Sequence, residues 1–599
     1  MVDQFPISQR GYMTMTRIQI SNSQFTGETV TQNHFGGNAV YIANTDRDSG
    51  DLYDNYEDAV EALGLQAIRF PAGRVEALFD DGMVVNGQII PEVREFLTWA
   101  RAEGHPAVLV LPTNESYAGA AETELFTRLV LQEFGDVVTA FEIGNEYWQE
   151  DMNPGGVSRE TEYGRIASDI AEAVEAASRS TGRDVDILIQ TANAAGQGSS
   201  YRGDHVDQLG AGLSERERWD EANSDIIDAL SADAISAIDG IIHHFYWNNF
   251  FAGDPDNNRG YRMDWHTESW APVLGNDMEF YVTEWNVQKD RLELHGLASA
   301  GAMITMVADM IEAGVDHAMV WPPQHNTRND LAGGRNRDVI VDEETGIVVN
   351  SVNGAIFDMM SDALVGLQRL DLTMTGASDQ RAVDSEVVVH GYGSQDTIVL
   401  YVASVDDAAQ SVDLLLDAIA PNYSSISAIH LGYDRSSSDG QRSAGAGTAD
   451  MVMIDGQPYH YNEDDVRAEI TTLSEAELVR GGNLSVDLNP FEVVQITIDL
   501  GTSGVQKGAG AVIDDDDLVN LHPDRPDRTE AARKAEMRRN PDQFEFRGQI
   551  ASQKDDLDAV IAQDEVQVGG FDIAEAGIEM PLLDAALVDT IAETDSFLF

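Results

Sequence analysis

The feature that most constrains the fold is a repeated alternation of short apolar runs and amphipathic stretches between residues 37 and 365. Each apolar run is rich in Val, Ile and aromatic residues, which is typical of parallel strands buried on both faces. The runs cover residues 38–43, 65–70, 106–111, 138–143, 186–191, 240–245, 279–284 and 316–321. This succession of strand–helix units predicts a (β/α)8 TIM barrel of the α/β class. A doubly wound open sheet is the alternative, but no Gly-rich phosphate-binding fingerprint follows the first run.

The pattern changes after a helix-like stretch at 353–366, which is predicted to be the last helix of the barrel. Short segments of alternating hydrophobicity follow, separated by Gly, Ser, Asp and Asn, and they predict an antiparallel β-sandwich. We therefore divide the chain into an N-terminal segment (1–36), the barrel (37–367), a β-sandwich (368–502) and an acidic C-terminal extension (503–599). A strand-like run at 16–23 is a candidate to join the sandwich.

The charge balance disfavours several classes of partner. Lys and Arg together number 37 against 104 Asp and Glu, which gives a net charge of -67. Such a surface repels nucleic acids and anionic membranes, so neither is an expected partner. It suits saline surroundings, where salt screens the self-repulsion, and a halophilic cytoplasm is the competing explanation. Because the sequence contains no Cys and no apolar stretch of about 18 residues, we expect neither disulfides nor insertion into a membrane.

Two glutamates lie at the predicted carboxyl ends of barrel strands. The fourth strand-like run leads into Gly-Asn-Glu-Tyr-Trp (144–148), and the seventh ends in Thr-Glu-Trp (283–285). The carboxyl ends of barrel strands face the active site, so Glu146 and Glu284 are expected to converge there. Cleavage of a glycosidic bond uses such a pair, one carboxylic acid protonating the leaving oxygen and one carboxylate attacking the anomeric carbon, about 5–5.5 Å apart when configuration is retained.

These two motifs resemble glycoside hydrolase clan A, together with His-His-Phe-Tyr-Trp (243–247) between them and Val-Trp-Pro-Pro (320–323) after them. The resemblance covers about residues 37–365 and implies a retaining glycosidase that acts on a carbohydrate. By this resemblance Glu146 is the acid/base, Glu284 is the nucleophile, and Asn145 binds the 2-hydroxyl of the substrate. A buried ion pair with Arg69 is the alternative role for either glutamate.

The resemblance also implies several supporting residues. Arg69, at the end of the second strand-like run, resembles the arginine that supports the nucleophile. His244 and Tyr246 resemble the His-x-Tyr pair of the clan, with the tyrosine bound to the nucleophile, although the sequence leaves His243 open as the histidine of the site. Trp321 resembles the sugar platform. Trp285 is a further candidate for substrate binding, and Glu142 is expected to form an ion pair near the strand end.

Two loops bear on the substrate. The aromatic-rich segment 246–270 either stacks on sugar rings or packs beneath its own loop, and the sequence favours neither. The segment 324–338 carries Arg328, Arg335 and Arg337 in a chain poor in arginine. A positive patch over the site would suit a uronic or sulfated sugar, while pairing with the abundant acidic residues of the protein is the alternative. We include Arg328 among the substrate-binding candidates.

No cofactor is expected to be required, because no histidine cluster indicates a catalytic metal and glycoside hydrolysis by two carboxyl groups needs none. The segments 44–51 and 254–260 carry alternating oxygen ligands and are candidates for structural calcium, although neither keeps the full EF-hand spacing. Turns stabilised by Asn and Asp side chains are the alternative.

The C-terminal extension ends in Asp-Ser-Phe-Leu-Phe, and the N-terminus shows no signal peptide. Together these features resemble substrates of bacterial type I secretion machinery, although the Gly/Asp nonapeptide repeats of that group are missing. We therefore expect an extracellular bacterial protein, and a disordered or partner-binding acidic tail is the alternative. A carbohydrate-binding protein with an inactive barrel and a transglycosylase are the competing functions.

Overall fold

The computed structural model describes residues 17–501, with gaps in between. The gaps are residues 48, 115, 150–155, 204–207, 248–259, 289–296, 325–328, 333–339, 342–347, 350, 376–386, 406–408, 434–450, 455–456 and 461–467. Three predictions therefore lie outside the described residues: the three arginines of 324–338, the calcium candidate at 254–260 and the extension 503–599. Among the described residues, no helix is long and apolar enough to cross a membrane.

The first part of the described chain alternates strands with helices. Its elements, in chain order, are β1 (Arg17–Thr29), a 3-10 helix (Gln32–Phe35), β2 (Gly36–Val40), α1 (Tyr41–Asn44), α2 (Asp54–Leu63), β3 (Ile68–Ala72), α3 (Glu76–Phe79), β4 (Val84–Val85), β5 (Gln88–Ile89), α4 (Pro91–Glu103), β6 (Ala107–Leu111), α5 (Ala120–Phe134), β7 (Val138–Ile143), α6 (Arg159–Thr181), β8 (Asp186–Gln190), α7 (Glu215–Ala229), α8 (Ala232–Ala237), β9 (Gly240–Trp247), α9 (Tyr261–Leu274), β10 (Glu279–Val287), α10 (Leu297–Glu312), β11 (His317–Val320), β12 (Ile340–Val341), β13 (Val348–Val349) and α11 (Val352–Leu364).

The second part consists mainly of strands. Its elements are β14 (Gln368–Thr375), β15 (Val387–Gly393), β16 (Thr397–Ser404), β17 (Gln410–Leu414), α12 (Leu416–Ile419), β18 (Ser425–Tyr433), β19 (Met451–Ile454), β20 (Gln457–His460), β21 (Ala468–Leu473), α13 (Glu475–Leu478), β22 (Val479–Arg480), β23 (Asn483–Leu488) and β24 (Val493–Asp499).

The predicted barrel is confirmed. Strands β2, β3, β6, β7, β8, β9, β10 and β11 close into one barrel, and neighbouring strands run parallel. Its interior is filled by one apolar layer to which most of the strands contribute, and the layer consists of Ala67, Val108, Ala140, Leu188, Ile242, Tyr281 and Met319. The barrel interior is therefore a packed core and not a pore, so a substrate can bind only at the rim.

The helices cover the outside of the barrel, and α4 shows how the sequence specifies one of them. Pro91 occupies the first turn, where its missing N–H costs nothing, and Gly104 ends the helix with a left-handed φ of 83°. Between these ends, Val93, Phe96, Leu97 and Ala100 are buried at the spacing of one helix face. Phe96 stacks on Phe70 of β3 with ring centroids 4.3 Å apart, which fixes the helix to the barrel.

The antiparallel sheets after the barrel confirm the predicted β-sandwich. A seven-stranded sheet has the order β1-β14-β15-β16-β24-β18-β21, and a three-stranded sheet has the order β17-β23-β22. Leu400 and Ile496 of the first sheet share an apolar core with Leu414 and Leu484 of the second. Strand β1 pairs antiparallel with β14, from Arg17 opposite Thr375 to Thr29 opposite Gln368, so the N-terminal segment contributes a strand to the sandwich.

Some strand ends differ from the prediction. The first barrel strand was expected over 38–43 but ends at Val40, because the Asn44 side chain accepts a hydrogen bond from the Val40 N–H (2.7 Å) and the chain turns into α1. Strands β9 and β10 extend to Trp247 and Val287, beyond the predicted ends at 245 and 284. This extra length matters, because it carries side chains of the candidate site.

Candidate active site

The polar side chains predicted for the site meet at the carboxyl end of the barrel. Arg69 belongs to β3, His244 and Tyr246 to β9, and Glu284 to β10, while Glu146 follows the end of β7. All barrel strands are parallel, so these positions lie on the same rim. One oxygen each of Glu146 and Glu284 and one ring nitrogen of His244 all lie within 4.8 Å of one another. The structure thus brings together two carboxyl groups that are remote in the sequence.

Glu284 is held by a hydrogen bond on each of its oxygens. Its Oε1 accepts from Nη1 of Arg69 at 2.8 Å, and its Oε2 accepts from the hydroxyl of Tyr246 at 2.8 Å. The side chain is 6% exposed, so water competes little for these bonds. The register of β10 against β9 shifts between Val282 and Glu284, an irregularity of the kind that re-aims side chains at barrel rims. Glu284 is therefore fixed in one orientation toward the centre of the rim.

Glu146 is presented by an unusual backbone conformation. Its φ is 46°, in the left-handed region that non-glycine residues seldom adopt, and Gly144 just before it has a φ of 78°. A Cβ added to Gly144 would lie 2.5 Å from the Thr113 hydroxyl oxygen, so only glycine fits there. Strain of this kind costs on the order of 1–3 kcal/mol and persists where the surroundings enforce it. The carboxylate contacts Gln149 through Oε2 and His244 Nδ1 through Oε1, the latter at 3.0 Å.

Arg69 is the centre of the buried polar network. Its Nε and Nη2 donate to the two oxygens of Glu142 at 2.6 and 2.7 Å, and Nη2 also donates to Asn145 Oδ1 at 2.6 Å. Burial alone would lower the pKa of Arg69, but the negative charges of Glu142 and Glu284 outweigh burial and raise the pKa. Arg69 is therefore a permanent cation between two carboxylates, and both Arg69 and Glu142 are fully buried.

Asn145, which follows β7, links this network to the end of β3. Its Nδ2 donates to the carbonyl of Gly73 at 2.8 Å, while its Oδ1 accepts from Arg69. Gly73 in turn approaches Trp321, since a Cβ added to Gly73 would lie 3.1 Å from Cη2 of that indole. Trp321 is partly exposed and follows β11. The amide and the indole predicted for the site therefore lie on the same rim as the glutamates.

The structure decides between the two adjacent histidines. His244 faces the glutamates, and its Nδ1 also lies 3.5 Å from Glu284 Oε2. Burial alone would lower the pKa of His244, but the charge of Glu284 and the hydrogen bond to Glu146 outweigh burial and raise the pKa. His243 points to the other side of β9, where its ring lies 4.7 Å from that of His266 on α9, and burial lowers its pKa well below the usual value. His244 is the histidine of the site.

Tyr246 serves as a neutral donor. Burial and the negative charge of Glu284 raise the pKa of its hydroxyl well above the ordinary value of 10. The hydroxyl therefore keeps its proton at neutral pH and donates a hydrogen bond to the Glu284 carboxylate. This contact agrees with the role that the motif resemblance implied for Tyr246.

The prediction for Trp285 is corrected. Side chains alternate along β10, so the residue after inward-facing Glu284 points outward to the surrounding helices. Trp285 is fully buried there and stacks on Phe357 of α11, with ring centroids 6.0 Å apart. It is a core residue and does not face the site.

The described aromatic residues of 246–270 mostly pack against the protein. Trp270 of α9 is fully buried, and its Nε1 donates to Asn223 Oδ1 at 2.9 Å. Trp265 lies under the guanidinium of Arg216, 5.2 Å from the ring centroid. For these two residues the structure favours packing beneath the loop over contact with a sugar.

Three residues in or beside the site were not predicted from the sequence. Asn38 accepts from Arg69 Nη1 at 3.0 Å and donates to backbone carbonyls of β10 and β11, so it ties the first strand to the last two. Gln190 places its Nε2 3.4 Å from Nε2 of His244. Each is a buried polar residue within an apolar strand, which is the signal that identifies it. The third is Trp148, which packs against His244 and gives no such signal.

Glu146, His244 and Glu284 form the one group with the spacing of metal ligands among the residues that the structure describes. The guanidinium of Arg69, 2.8 Å from Glu284, already supplies a positive charge there and would repel a metal cation. The donor set therefore fits acid–base chemistry better than metal binding. At the calcium candidate 44–51, Asp46 Oδ1 accepts from the Ser49 N–H at 3.3 Å in a turn stabilised by its own side chain.

Acid is expected to weaken folding through His266. Burial, with the charges of Arg262 and Arg216, lowers the pKa of His266 to about 3. An unfolded histidine has a pKa of about 6.5, so the stability from the neutral ring is complete above that pH and is lost as pH falls toward 3. Between pH 7 and pH 5, the free energy of unfolding measured with urea should fall by about 2 kcal/mol more in wild type than in His266→Gln. Equal losses in the two proteins would contradict the prediction.

Comparisons with known proteins support the fold. No protein-family model matches the sequence, and a search of curated proteins finds no similar protein. Among solved structures, a family 51 alpha-L-arabinofuranosidase from Bifidobacterium longum matches with a TM-score of 0.51 and 12% identity, covering 81% of this chain and 99% of that one. A bifunctional glucanase-xylanase from a metagenome library matches with a TM-score of 0.50 and 11% identity, covering 81% and 99%. The chain therefore shares the fold of these two solved structures.

Proposed function

We propose that this protein is a retaining glycoside hydrolase with Glu284 as nucleophile and Glu146 as acid/base. The observation that carries the proposal is the meeting of the two carboxyl groups, with oxygens no more than 4.8 Å apart. A separation of about 5–5.5 Å suits direct attack by one carboxylate, whereas inverting enzymes leave about 6.5–9.5 Å for a water. The fold shared with solved glycosidases supports the same class.

The first step forms a covalent intermediate. A carboxylate oxygen of Glu284 attacks the anomeric carbon, the bond from that carbon to the leaving oxygen breaks, and Glu146 gives its proton to the leaving oxygen. Arg69 and Tyr246 supply the hydrogen bonds that aim Glu284. Because these donors are already in place, little reorganisation is needed when charge moves away from the carboxylate.

The second step releases the sugar. Water attacks the anomeric carbon, Glu146 accepts a proton from the water, and the ester bond to Glu284 breaks. His244 donates to Glu146 after the first step has left that carboxyl ionised, which fits the raised pKa of this histidine. Asn145 is proposed to bind the sugar 2-hydroxyl, because Arg69 and Gly73 fix its amide beside the nucleophile.

The stereochemistry of the first product tests the mechanism. Wild-type protein is incubated with a panel of aryl glycosides and with plant and marine polysaccharides, and the anomeric configuration of the product is followed by NMR before mutarotation. Retention is expected. Inversion would overturn the assignment of Glu284 as nucleophile, and binding of sugars without turnover would favour the inactive-barrel alternative. Transfer to an added sugar acceptor in place of water would identify a transglycosylase.

An acidic glycan is the proposed substrate class, supported by the arginines at 328, 335 and 337 in the segment that follows β11. The polysaccharide panel tests this when it includes matched neutral and uronate or sulfated polymers. Arg328→Gln should raise KM for the acidic polymer and leave KM for a neutral aryl glycoside unchanged. Equal effects on both substrates would remove the support.

Action outside the cell is proposed from the acidic extension 503–599, which resembles type I secretion substrates. Deletion of the last residues, Asp595–Phe599, in a host that carries the secretion machinery should leave the protein in the cells. Unchanged export would refute this part of the proposal without touching the catalytic assignment.

A further inference from the structure

We propose that Trp148, held by the glycine-rich loop after β8, is a positioning residue that keeps the acid/base Glu146 aligned through His244. The inference rests on the proposed function and extends it to a residue that does not touch the reacting atoms. Three sets of contacts carry it: the indole with His244, the loop with the indole, and His244 with Glu146.

The indole of Trp148 forms one wall around His244. Trp148 is 3% exposed and meets the His244 ring edge to face, with centroids 6.2 Å apart and planes 77° apart. It also packs edge to face on Tyr147, which stacks on Tyr163 of α6 at 4.2 Å. Through Tyr147 the wall is anchored to a helix outside the barrel, so the indole cannot shift freely.

His244 transmits this position to Glu146. Its Nδ1 lies 3.0 Å from Glu146 Oε1, and on the other side of the ring its Nε2 lies 3.4 Å from Gln190 Nε2. The orientation of the His244 ring is therefore fixed by a polar contact at each nitrogen and by edge-to-face packing with the indole. A rotation of the ring would lengthen the contact with Glu146, whose backbone turn is already strained.

The loop after β8 locks the indole from behind. A Cβ added to Gly196 would lie 2.3 Å from Cδ1 and 2.4 Å from Cγ of Trp148, so the backbone there approaches the ring as closely as only glycine allows. The N–H of Gly198 donates to the carbonyl of Trp148 at 2.8 Å. A methyl group at position 196 must displace the indole, which is in edge-to-face contact with His244.

The dependence of the rate on the leaving group separates a misplaced acid from a general loss of structure. A good leaving group such as 2,4-dinitrophenolate departs without a proton, whereas phenolate needs one from the general acid. A defect in the alignment of Glu146 should therefore slow phenyl glycosides selectively. A merely structural defect lowers the amount of active enzyme and slows both substrates by the same factor.

The experiment compares wild type with Gly196→Ala and Trp148→Phe on phenyl and 2,4-dinitrophenyl glycosides of the sugar that wild type hydrolyses. In both variants, kcat/KM is expected to fall about 10- to 100-fold for the phenyl glycoside and less than about 3-fold for the dinitrophenyl glycoside. Gly135→Ala is the matched control, because its Cβ would lie 2.4 Å from the Leu131 carbonyl oxygen just before β7, at the opposite end of the barrel strands from the site. This control should lower the melting temperature but leave the ratio of the two rates unchanged.

Equal losses on both substrates in Trp148→Phe would overturn the inference and leave the proposed function standing. If Gly196→Ala fails to fold, Trp148→Phe decides alone, because it removes the indole edge without adding atoms. Failure of wild type to hydrolyse any glycoside would instead reject the proposed function, and the inference with it.

Discussion

Glu284→Gln is expected to lower kcat by at least about 10⁴-fold if Glu284 is the nucleophile proposed above, because such a group acts with its partners as a unit. Glutamine keeps the shape of the side chain and an oxygen that can accept the hydrogen bond from Arg69. Its neutral amide cannot attack the anomeric carbon to form the ester intermediate. The loss should therefore appear in the rate and not in the fold, and it is measured by steady-state kinetics alongside circular dichroism.

Glu492→Gln is the matched control for this substitution. Glu492 is also a buried glutamate, but it lies in the sandwich, where it accepts from Asn489 and pairs with His430. Wild-type kcat is expected in this variant. A second variant, Glu284→Ala, leaves room for azide, which should attack the anomeric carbon and yield a glycosyl azide of inverted configuration. Retention of more than a tenth of wild-type kcat by Glu284→Gln would rule out the nucleophile assignment.

Arg69→Met is expected to destabilise the protein by about 3–5 kcal/mol, because it leaves two buried carboxylates without their cation. The guanidinium is fully buried and pairs with Glu142 at 2.6 Å and with Glu284 at 2.8 Å. Methionine fills much of the volume, so the loss is one of charge and hydrogen bonds more than of packing. Urea unfolding at pH 7 measures the change in the free energy of unfolding.

A double variant tests the cause of that loss. Arg69→Met combined with Glu142→Leu removes both members of the strongest ion pair and should be more stable than Arg69→Met alone by about 1–3 kcal/mol. Arg101→Met is the control, because Arg101 and Asp136 form a half-exposed surface pair worth less than about 1 kcal/mol. A loss in Arg69→Met no larger than in Arg101→Met would contradict the role of the buried network.

The barrel and the two glutamates were predictable from the sequence, and the arrangement around them was predictable only in part. Apolar runs followed by Gly-Asn-Glu and Thr-Glu-Trp place Glu146 and Glu284 at strand ends by the topology of parallel strands alone. The wrong prediction for Trp285 was avoidable, since period-two alternation turns the neighbour of an inward-facing glutamate outward. The ion pair of Glu142 was expected, but its partner Arg69 comes from another strand.

The choice between His243 and His244 depended on information that the sequence does not carry. Alternation assigns them to opposite faces of β9, but which face is inward depends on the register against β10, where the pairing shifts between Val282 and Glu284. The contact of Gly196 with Trp148 could not be predicted from the sequence either. It depends on how closely two loops approach in three dimensions, and no local pattern encodes that distance.

The pairing of β1 with β14 has a consequence for biosynthesis. Residues 17–29 leave the ribosome on the order of 350 residues before their hydrogen-bonding partners at 368–375. At 5–20 residues per second the nascent strand waits roughly 20–70 s without its partner strand, while water occupies its hydrogen-bonding groups. Completion of the larger sheet must therefore come after synthesis of the whole barrel, and β1, although made early, is among the last strands to find its native pairing.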